Sequence, residues 1–124
     1  MAYIINLKKH GDARGSLTAV EDAALPFKIK RVYAITNPQG IRGGHRHKKA
    51  VQALMCLSGS CVVYNNNGHK EEEFLLDAPE KCLILEPQDW HLMKEFTGHC
   101  VLQVLASEYY DVDDYIDEPY ASKQ

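Results

Sequence analysis

The sequence lacks several features that would assign it to whole classes of protein. No apolar run approaches the roughly 18 residues that a bilayer-spanning helix needs, and no signal peptide is visible. The net charge of −3 argues against general nucleic-acid binding. The four cysteines form no Cys-x-x-Cys pair and lie within apolar runs, which predicts buried free thiols rather than disulfides. We therefore expect a cytoplasmic protein that binds neither membrane nor nucleic acid.

Helical periodicity is also missing from almost the whole chain. Short apolar runs separated by turn signals instead predict strands at 4–7, 16–20, 29–36, 51–57, 61–64, 69–76, 82–85, 91–96 and 100–106. Residues 10–15 are predicted to be a turn. The tail over 108–120 mixes tyrosines with acidic residues, and we expect one or two turns of helix packed on the barrel or on a second subunit. The chain therefore predicts one all-β domain over 1–124, a sandwich or a barrel.

The most informative stretch contains two histidines, His45 and His47, separated by one residue. On a β-strand they would project from the same face and place two groups that titrate near neutral pH side by side. Gly43 and Gly44 precede them and would let the backbone approach a ligand closely. The cations of the same stretch are Arg42, Arg46, Lys48 and Lys49. The pattern indicates a proton-transfer site beside an anion-binding site, with a metal site as the alternative.

The spacing after the two histidines resembles that of the cupins, small β-barrels of the jelly-roll type. In the cupin pattern a Glu follows at the position that Gln52 occupies here, and a Gly follows at Gly59. The second cupin motif is similar to Pro87–His91, with Asp89 in place of a Gly and the His one position early. A neutral amide is a weak ligand for a divalent cation. The resemblance therefore implies a cupin-type barrel whose site holds no metal.

Four further residues are candidates for the same site, each with an ordinary structural alternative. In a cupin barrel His91 would point into the cavity of the histidine pair, although it could also be a core residue. Tyr33 could pack at the barrel end or donate a hydrogen bond. Arg14 could belong to a turn or reach a phosphate. Arg31 and Lys30 lie on opposite faces of a strand, so at least one of them faces outward, and arginine suits bidentate phosphate recognition.

Taken together in chain order, five segments resemble a narrower family, the dTDP-4-keto-6-deoxyglucose 3,4-ketoisomerases of deoxysugar biosynthesis. These segments are 11–17, 29–33, 45–49, 57–61 and 104–110. The resemblance extends over about residues 4–116. It implies a metal-free enzyme without a cofactor, and a homodimer with an exchanged N-terminal strand. Gly44 and Arg46 depart from the family, which commonly has an aromatic residue and a small residue at these positions.

The family resemblance also implies roles for the candidate residues. His45 would be the base that removes the C3 proton, and His47 would move a proton between the C3 and C4 oxygens. The substrate would be a dTDP-linked keto-deoxysugar and the product a galacto-configured 3-keto sugar, with Arg14 and His91 placed to influence the face of C4. The expected substrate-binding residues are Tyr33, Arg14, Arg31, Arg42, Arg46, Lys48, Gln52 and His91.

Three other functions remain open at this point. A metal-dependent cupin enzyme such as a dioxygenase would need a stoichiometric ion. A nucleotide-sugar 3,5-epimerase also uses a histidine base in a β-barrel, but that family is longer and pairs the histidine with an aspartate that the sequence alone does not identify. A non-catalytic barrel would bind the sugar nucleotide without exchanging its hydrogens.

Overall fold

The computed structural model describes residues 1–121, which form twelve strands and two 3₁₀ turns and contain no α-helix. The all-β prediction is confirmed. The strands are β1 Tyr3–Asn6, β2 Lys9–Asp12, β3 Gly15–Thr18, β4 Arg31–Thr36, β5 Arg42–His47, β6 Gln52–Ser58, β7 Cys61–Asn66, β8 Glu71–Leu76, β9 Lys81–Leu85, β10 Trp90–Lys94, β11 Val101–Ala106 and β12 Tyr115–Ile116. The 3₁₀ turns are Asp22–Ala24 and Val112–Asp114.

Ten of the strands form two antiparallel sheets, in the orders β1-β9-β6-β11-β4 and β12-β5-β10-β7-β8. Side chains from both sheets share one buried apolar cluster, which includes Leu54 and Leu102 of the first sheet and Val63 and Met93 of the second. Alternating burial along β7 and β10 follows from the period of two, since every other side chain faces this cluster. The cluster therefore joins the two sheets into a closed sandwich.

The inner strands of the first sheet are buried on both faces, whereas its edge strand β4 exposes every other residue. A second apolar cluster on strands β6, β9 and β11 includes Ala53, Met55 and Ile84, and residues from 20–29 such as Phe27 pack against it. A strand covered on both faces reads as a continuous apolar run rather than an alternating one. This explains why residues 53–56 and 82–85 are apolar throughout.

Two segments differ from the expectations. The stretch predicted as a turn over 10–15 is part of a hairpin, in which β2 pairs with β3 and only Ala13 and Arg14 lie between them. The Asp12 carboxylate accepts from the Arg14 backbone N–H at 2.8 Å and supports this short turn. The tail forms a single 3₁₀ turn and then β12, which pairs with β5, so the prediction of one or two helical turns was wrong about most of the segment.

The four cysteines are free and buried, as predicted, with the Cys56 sulfur 3.6 Å from that of Cys61. Among residues 1–121 there is no helix long and apolar enough to span a bilayer. The N-terminal strand β1 pairs with β9 of the same chain. Strand exchange between two copies therefore stays a prediction.

Candidate active site

A cavity of about 480 Å³ lies between the two sheets, with walls from strands β4, β5, β6, β10, β11 and β12. It brings together six of the residues selected from the sequence, which are far apart along the chain. These are Arg31, Tyr33, Arg42, His45, Gln52 and His91.

His45 and His47 project from the same face of β5, as their spacing predicted. Their ring centroids are 5.1 Å apart. The intervening Arg46 points the other way, and its guanidinium lies 4.8 Å from the ring centre of Tyr120. His47 is buried and lies next to the main cavity, in a narrower space shared with Gln52.

A third imidazole, that of His91, faces His45 across the paired strands β5 and β10. The two ring centroids are 5.0 Å apart, and that of His47 is 6.2 Å from His91. His91 is buried, and its Nδ1–H donates to the Asp89 carbonyl oxygen at 3.1 Å. This bond leaves Nε2 as the nitrogen with a free lone pair.

The contact between β5 and β10 depends on glycine. The strand register shifts between His91 and Leu92, opposite Gly43, whose φ is +84°. A Cβ on Gly43 would lie 3.2 Å from the His91 carbonyl oxygen and 3.2 Å from the Leu92 Cα. The glycine pair was predicted to let the backbone approach a ligand; the close approach seen at Gly43 is to the neighbouring strand β10, and an approach to a ligand stays a prediction.

Burial controls the protonation of all three histidines. It lowers the pKa of His45 to about 4, with a further contribution from His47, and that of His91 to about 3. Burial also lowers the pKa of His47, although the Asp114 carboxylate opposes this shift. The three imidazoles are therefore neutral near pH 7, and each can accept a proton.

Tyr33 and Gln52 provide a neutral hydrogen-bonding pair in the same cavity. The Gln52 amide Nε2 donates to the Tyr33 hydroxyl oxygen at 3.2 Å. Burial raises the pKa of Tyr33, so this hydroxyl keeps its proton and can donate it to a bound oxygen. Within residues 1–121, no three His, Cys, Asp or Glu side chains converge so as to hold a metal ion.

Three predicted residues lie away from the cavity of this single chain. Arg14 is at the tip of the β2–β3 hairpin, where its exposed side chain pairs with Asp12 at 2.7 Å. Arg46 points away from the histidines, as described above, and Lys48 is exposed. A substrate role for Arg14 would therefore require movement of the hairpin or a second copy of the chain.

Two residues of the site, Asp114 and Tyr115, were missed in the sequence. The Tyr115 ring centroid lies 4.7 Å from that of His45 and 4.6 Å from that of His47. The Asp114 carboxylate oxygen Oδ2 lies 3.0 Å from His47 Nδ1. The aromatic character of the tail indicated packing but not which acid would be buried. The lack of a histidine–aspartate pair is thus no longer a reason to set aside the epimerases.

The fold and the site together define a cupin-type β-barrel with a cavity lined by the neutral imidazoles of His45 and His91 and by two arginines, and with the imidazole of His47 directly beside it. The family model FdtA (WxcM-like, C-terminal) matches residues 1–123. The chain therefore belongs to this family, and the resemblance found from the sequence is confirmed.

Individual relatives agree with this assignment. The chain is 49% identical over 116 residues to the TDP-4-oxo-6-deoxy-alpha-D-glucose-3,4-oxoisomerase of Aneurinibacillus thermoaerophilus, covering 91% of this chain and 84% of that protein. It matches a mutant of the 3,4-ketoisomerase QdtA from Thermoanaerobacterium thermosaccharolyticum, in complex with TDP-4-keto-6-deoxyglucose, with a TM-score of 0.91 and 42% identity over 94% of this chain and 87% of that one. The TDP-quinovose 3,4-ketoisomerase WlaRB of Campylobacter jejuni gives a TM-score of 0.89 and 40% identity, covering 94% and 92% of the two chains.

Proposed function

We propose that this protein is a sugar-nucleotide 3,4-ketoisomerase that converts dTDP-4-keto-6-deoxyglucose into a dTDP-3-keto-6-deoxyhexose through an enediol. The observation that carries the proposal is the cluster of three neutral imidazoles, with ring centroids 5.0 to 6.2 Å apart, of which His45 and His91 line the cavity and His47 lies directly beside it. The names of the relatives supply the substrate class. The reaction is an isomerisation and consumes no oxidant or reductant.

In the proposed mechanism the C4 ketone acidifies the hydrogen on C3, and neutral His45 removes it as a proton. His47 takes the proton from the C3 oxygen and delivers it to the C4 oxygen. Protonated His45 then gives its proton to C4, which forms the 3-ketone and restores the neutral imidazole. An imidazole of low pKa is a weak base, so the enediolate needs stabilisation, and the Tyr33 hydroxyl is the donor that supplies it. Positioned acid–base catalysis contributes about 10²- to 10⁴-fold for each group.

Two arginines of the cavity would bind the diphosphate of the substrate. Arg31 and Arg42 both line the cavity, and the Arg31 guanidinium lies 4.3 Å from the centre of the Tyr33 ring. Stacking on this ring restricts the guanidinium while its N–H groups stay free for phosphate oxygens. The substrate contacts of Arg14, Arg46 and Lys48 remain predictions.

We further propose a homodimer and a galacto-configured product. The exposed side chains of Leu17 and Val32, at 60% and 55% of full exposure, are apolar surface that a second copy could cover. A mass in solution of twice 14.0 kDa would support the dimer, whereas the mass of one chain would contradict it. The cytoplasmic location stays a prediction from the sequence.

The function is tested by incubation with dTDP-4-keto-6-deoxyglucose in D₂O, with product and label positions followed by NMR. We expect a 3-keto product with galacto configuration at C4, and full activity after exhaustive chelation. Activity that is lost on chelation and restored by Fe(II) or Mn(II) would identify a metal-dependent cupin instead. Label at C5 would indicate an epimerase, and tight binding without any label would indicate a non-catalytic barrel.

A further inference from the structure

We propose that Asp114 is a positioning residue for His47, and that it fixes the imidazole with its proton on Nδ1 and its lone pair on Nε2. Asp114 belongs to the C-terminal segment 111–116, to which the family resemblance assigned no role in the site. The inference depends on the proposed function only in that His47 is taken to carry a proton during the reaction.

The contacts of the Asp114 carboxylate determine its role. Its Oδ2 lies 3.0 Å from His47 Nδ1, and its Oδ1 accepts from the Lys49 backbone N–H at 2.8 Å. The Ala50 backbone N–H also points at Oδ2, at 3.3 Å. An ionised carboxylate only accepts hydrogen bonds, so the hydrogen between the two side chains must belong to His47 Nδ1.

The other ring nitrogen of His47 is consistent with this tautomer. His47 is only 5% exposed, and its Nε2 is buried without a hydrogen-bond partner among residues 1–121. With the proton on Nδ1, Nε2 carries a lone pair. A lone pair is what the imidazole needs if it is to take a proton from a sugar hydroxyl.

The segment holds Asp114 firmly enough to orient another side chain. The strand β12 pairs with β5, so that Tyr115 lies opposite His47, and the Lys48 backbone N–H donates to the Asp114 carbonyl oxygen at 2.9 Å. Before Asp114, the Asp111 side chain accepts from the Asp113 backbone N–H at 3.0 Å and caps the 3₁₀ turn. Of the four acids at 111, 113, 114 and 117, only Asp114 is buried.

The substitution Asp114→Asn separates orientation from packing, since the two side chains have nearly the same shape. If the amide oxygen keeps the Lys49 N–H, the NH₂ group faces His47 Nδ1 and forces the imidazole proton onto Nε2. If the amide is reversed, the NH₂ group faces the Lys49 N–H, and two donors oppose each other. The first arrangement also places the NH₂ group against a backbone N–H, that of Ala50, but this contact is longer, at 3.3 Å against 2.8 Å for Lys49. We therefore expect the first arrangement and an inverted tautomer.

The direct test is the ¹⁵N NMR spectrum of the imidazoles in full-length protein labelled at histidine, with His47 assigned by its loss in His47→Asn. We expect the Nδ1–H tautomer for His47 in the unmodified protein. The Nε2–H tautomer there would overturn the proposal without any Asp114 variant. The measurement is independent of activity, so the proposal can fail while the proposed function holds, and the reverse is also true.

The variant adds a kinetic test. In Asp114→Asn we expect His47 to change tautomer and kcat to fall about 10- to 100-fold, with KM nearly unchanged. The matched control is Asp113→Asn, which removes the charge of an exposed acid in the same turn. It should change neither the His47 tautomer nor kcat. A folded Asp114→Asn protein with the original tautomer and full kcat would contradict the role assigned to Asp114.

Discussion

Replacing Gly43 by alanine tests whether the close approach of β5 to β10 positions the imidazoles. The two adjacent glycines form a matched pair, because Gly43 and Gly44 have φ values of +84° and +85°. A Cβ on Gly43 would lie 3.1 Å from Met93 Sδ and 3.2 Å from two backbone atoms of β10. A Cβ on Gly44 would meet only the Trp90 ring, at 3.9 Å, which is an ordinary contact.

The expected magnitudes follow from this difference. Both alanines carry the cost of left-handed backbone, about 1–2 kcal/mol. Only Gly43→Ala adds a clash with backbone that cannot rotate away, and overpacking of this kind costs about 1–3 kcal/mol. We therefore expect the free energy of unfolding to fall by about 1–2 kcal/mol in Gly44→Ala and by about 2–5 kcal/mol in Gly43→Ala.

The assay is urea denaturation followed by circular dichroism, with m-values compared to establish that the same transition is measured. Gly43→Ala should also lower kcat, because the clash displaces the β10 backbone at His91, opposite His45. Gly98→Ala is the control, since this residue has no positive φ and a Cβ there would meet nothing within 4 Å. Equal destabilisation in Gly43→Ala and Gly44→Ala would refute the reasoning.

Three further predictions concern protonation and charge stabilisation. Since His45 must be neutral to act as a base, kcat/KM should stay high as the pH falls and be lost only near pH 4, and an acid limb near 6.5 would contradict its assignment. Because the folded pKa values of His45 and His91 lie below the 6.5 of free histidine, the free energy of unfolding should be constant above about pH 6.5 and fall towards pH 4. Denaturant titration at each pH measures this, and a stability that does not change over the window would be inconsistent with neutral buried imidazoles. In Tyr33→Phe the loss of the hydroxyl donor should lower kcat about 10²-fold, and an unchanged kcat in the folded variant would exclude Tyr33 as the donor.

Much of the site could be predicted because it depends on local rules. The alternation of side chains along a strand was enough to place His45 and His47 on one face. The number of residues between His47 and Gln52 matches the cupin spacing, and this match was enough to predict that Gln52 lies in the same cavity as His45. Apolar runs of strand length predicted most of the strands to within one or two residues.

The parts that were missed depend on contacts between distant segments. Asp114 is buried only because β12 pairs with β5, and nothing in the tail distinguishes it from the exposed Asp113 beside it. Strand β3 corresponds to the strand predicted at 16–20, but β2 has only polar or glycine residues, all exposed, and therefore carries no alternating signal. The position of the β2–β3 hairpin away from the cavity, and with it the position of Arg14, could not be read from the sequence.

The division of labour between the two imidazoles of β5 is tested most directly by hydrogen exchange at C3 of the recovered substrate, measured by NMR in D₂O for His45→Asn and His47→Asn. We expect no exchange above the enzyme-free rate in His45→Asn. In His47→Asn we expect slow exchange at C3 without product, because the base remains while transfer between the oxygens is lost. Exchange at the unmodified rate in folded His45→Asn would contradict the account.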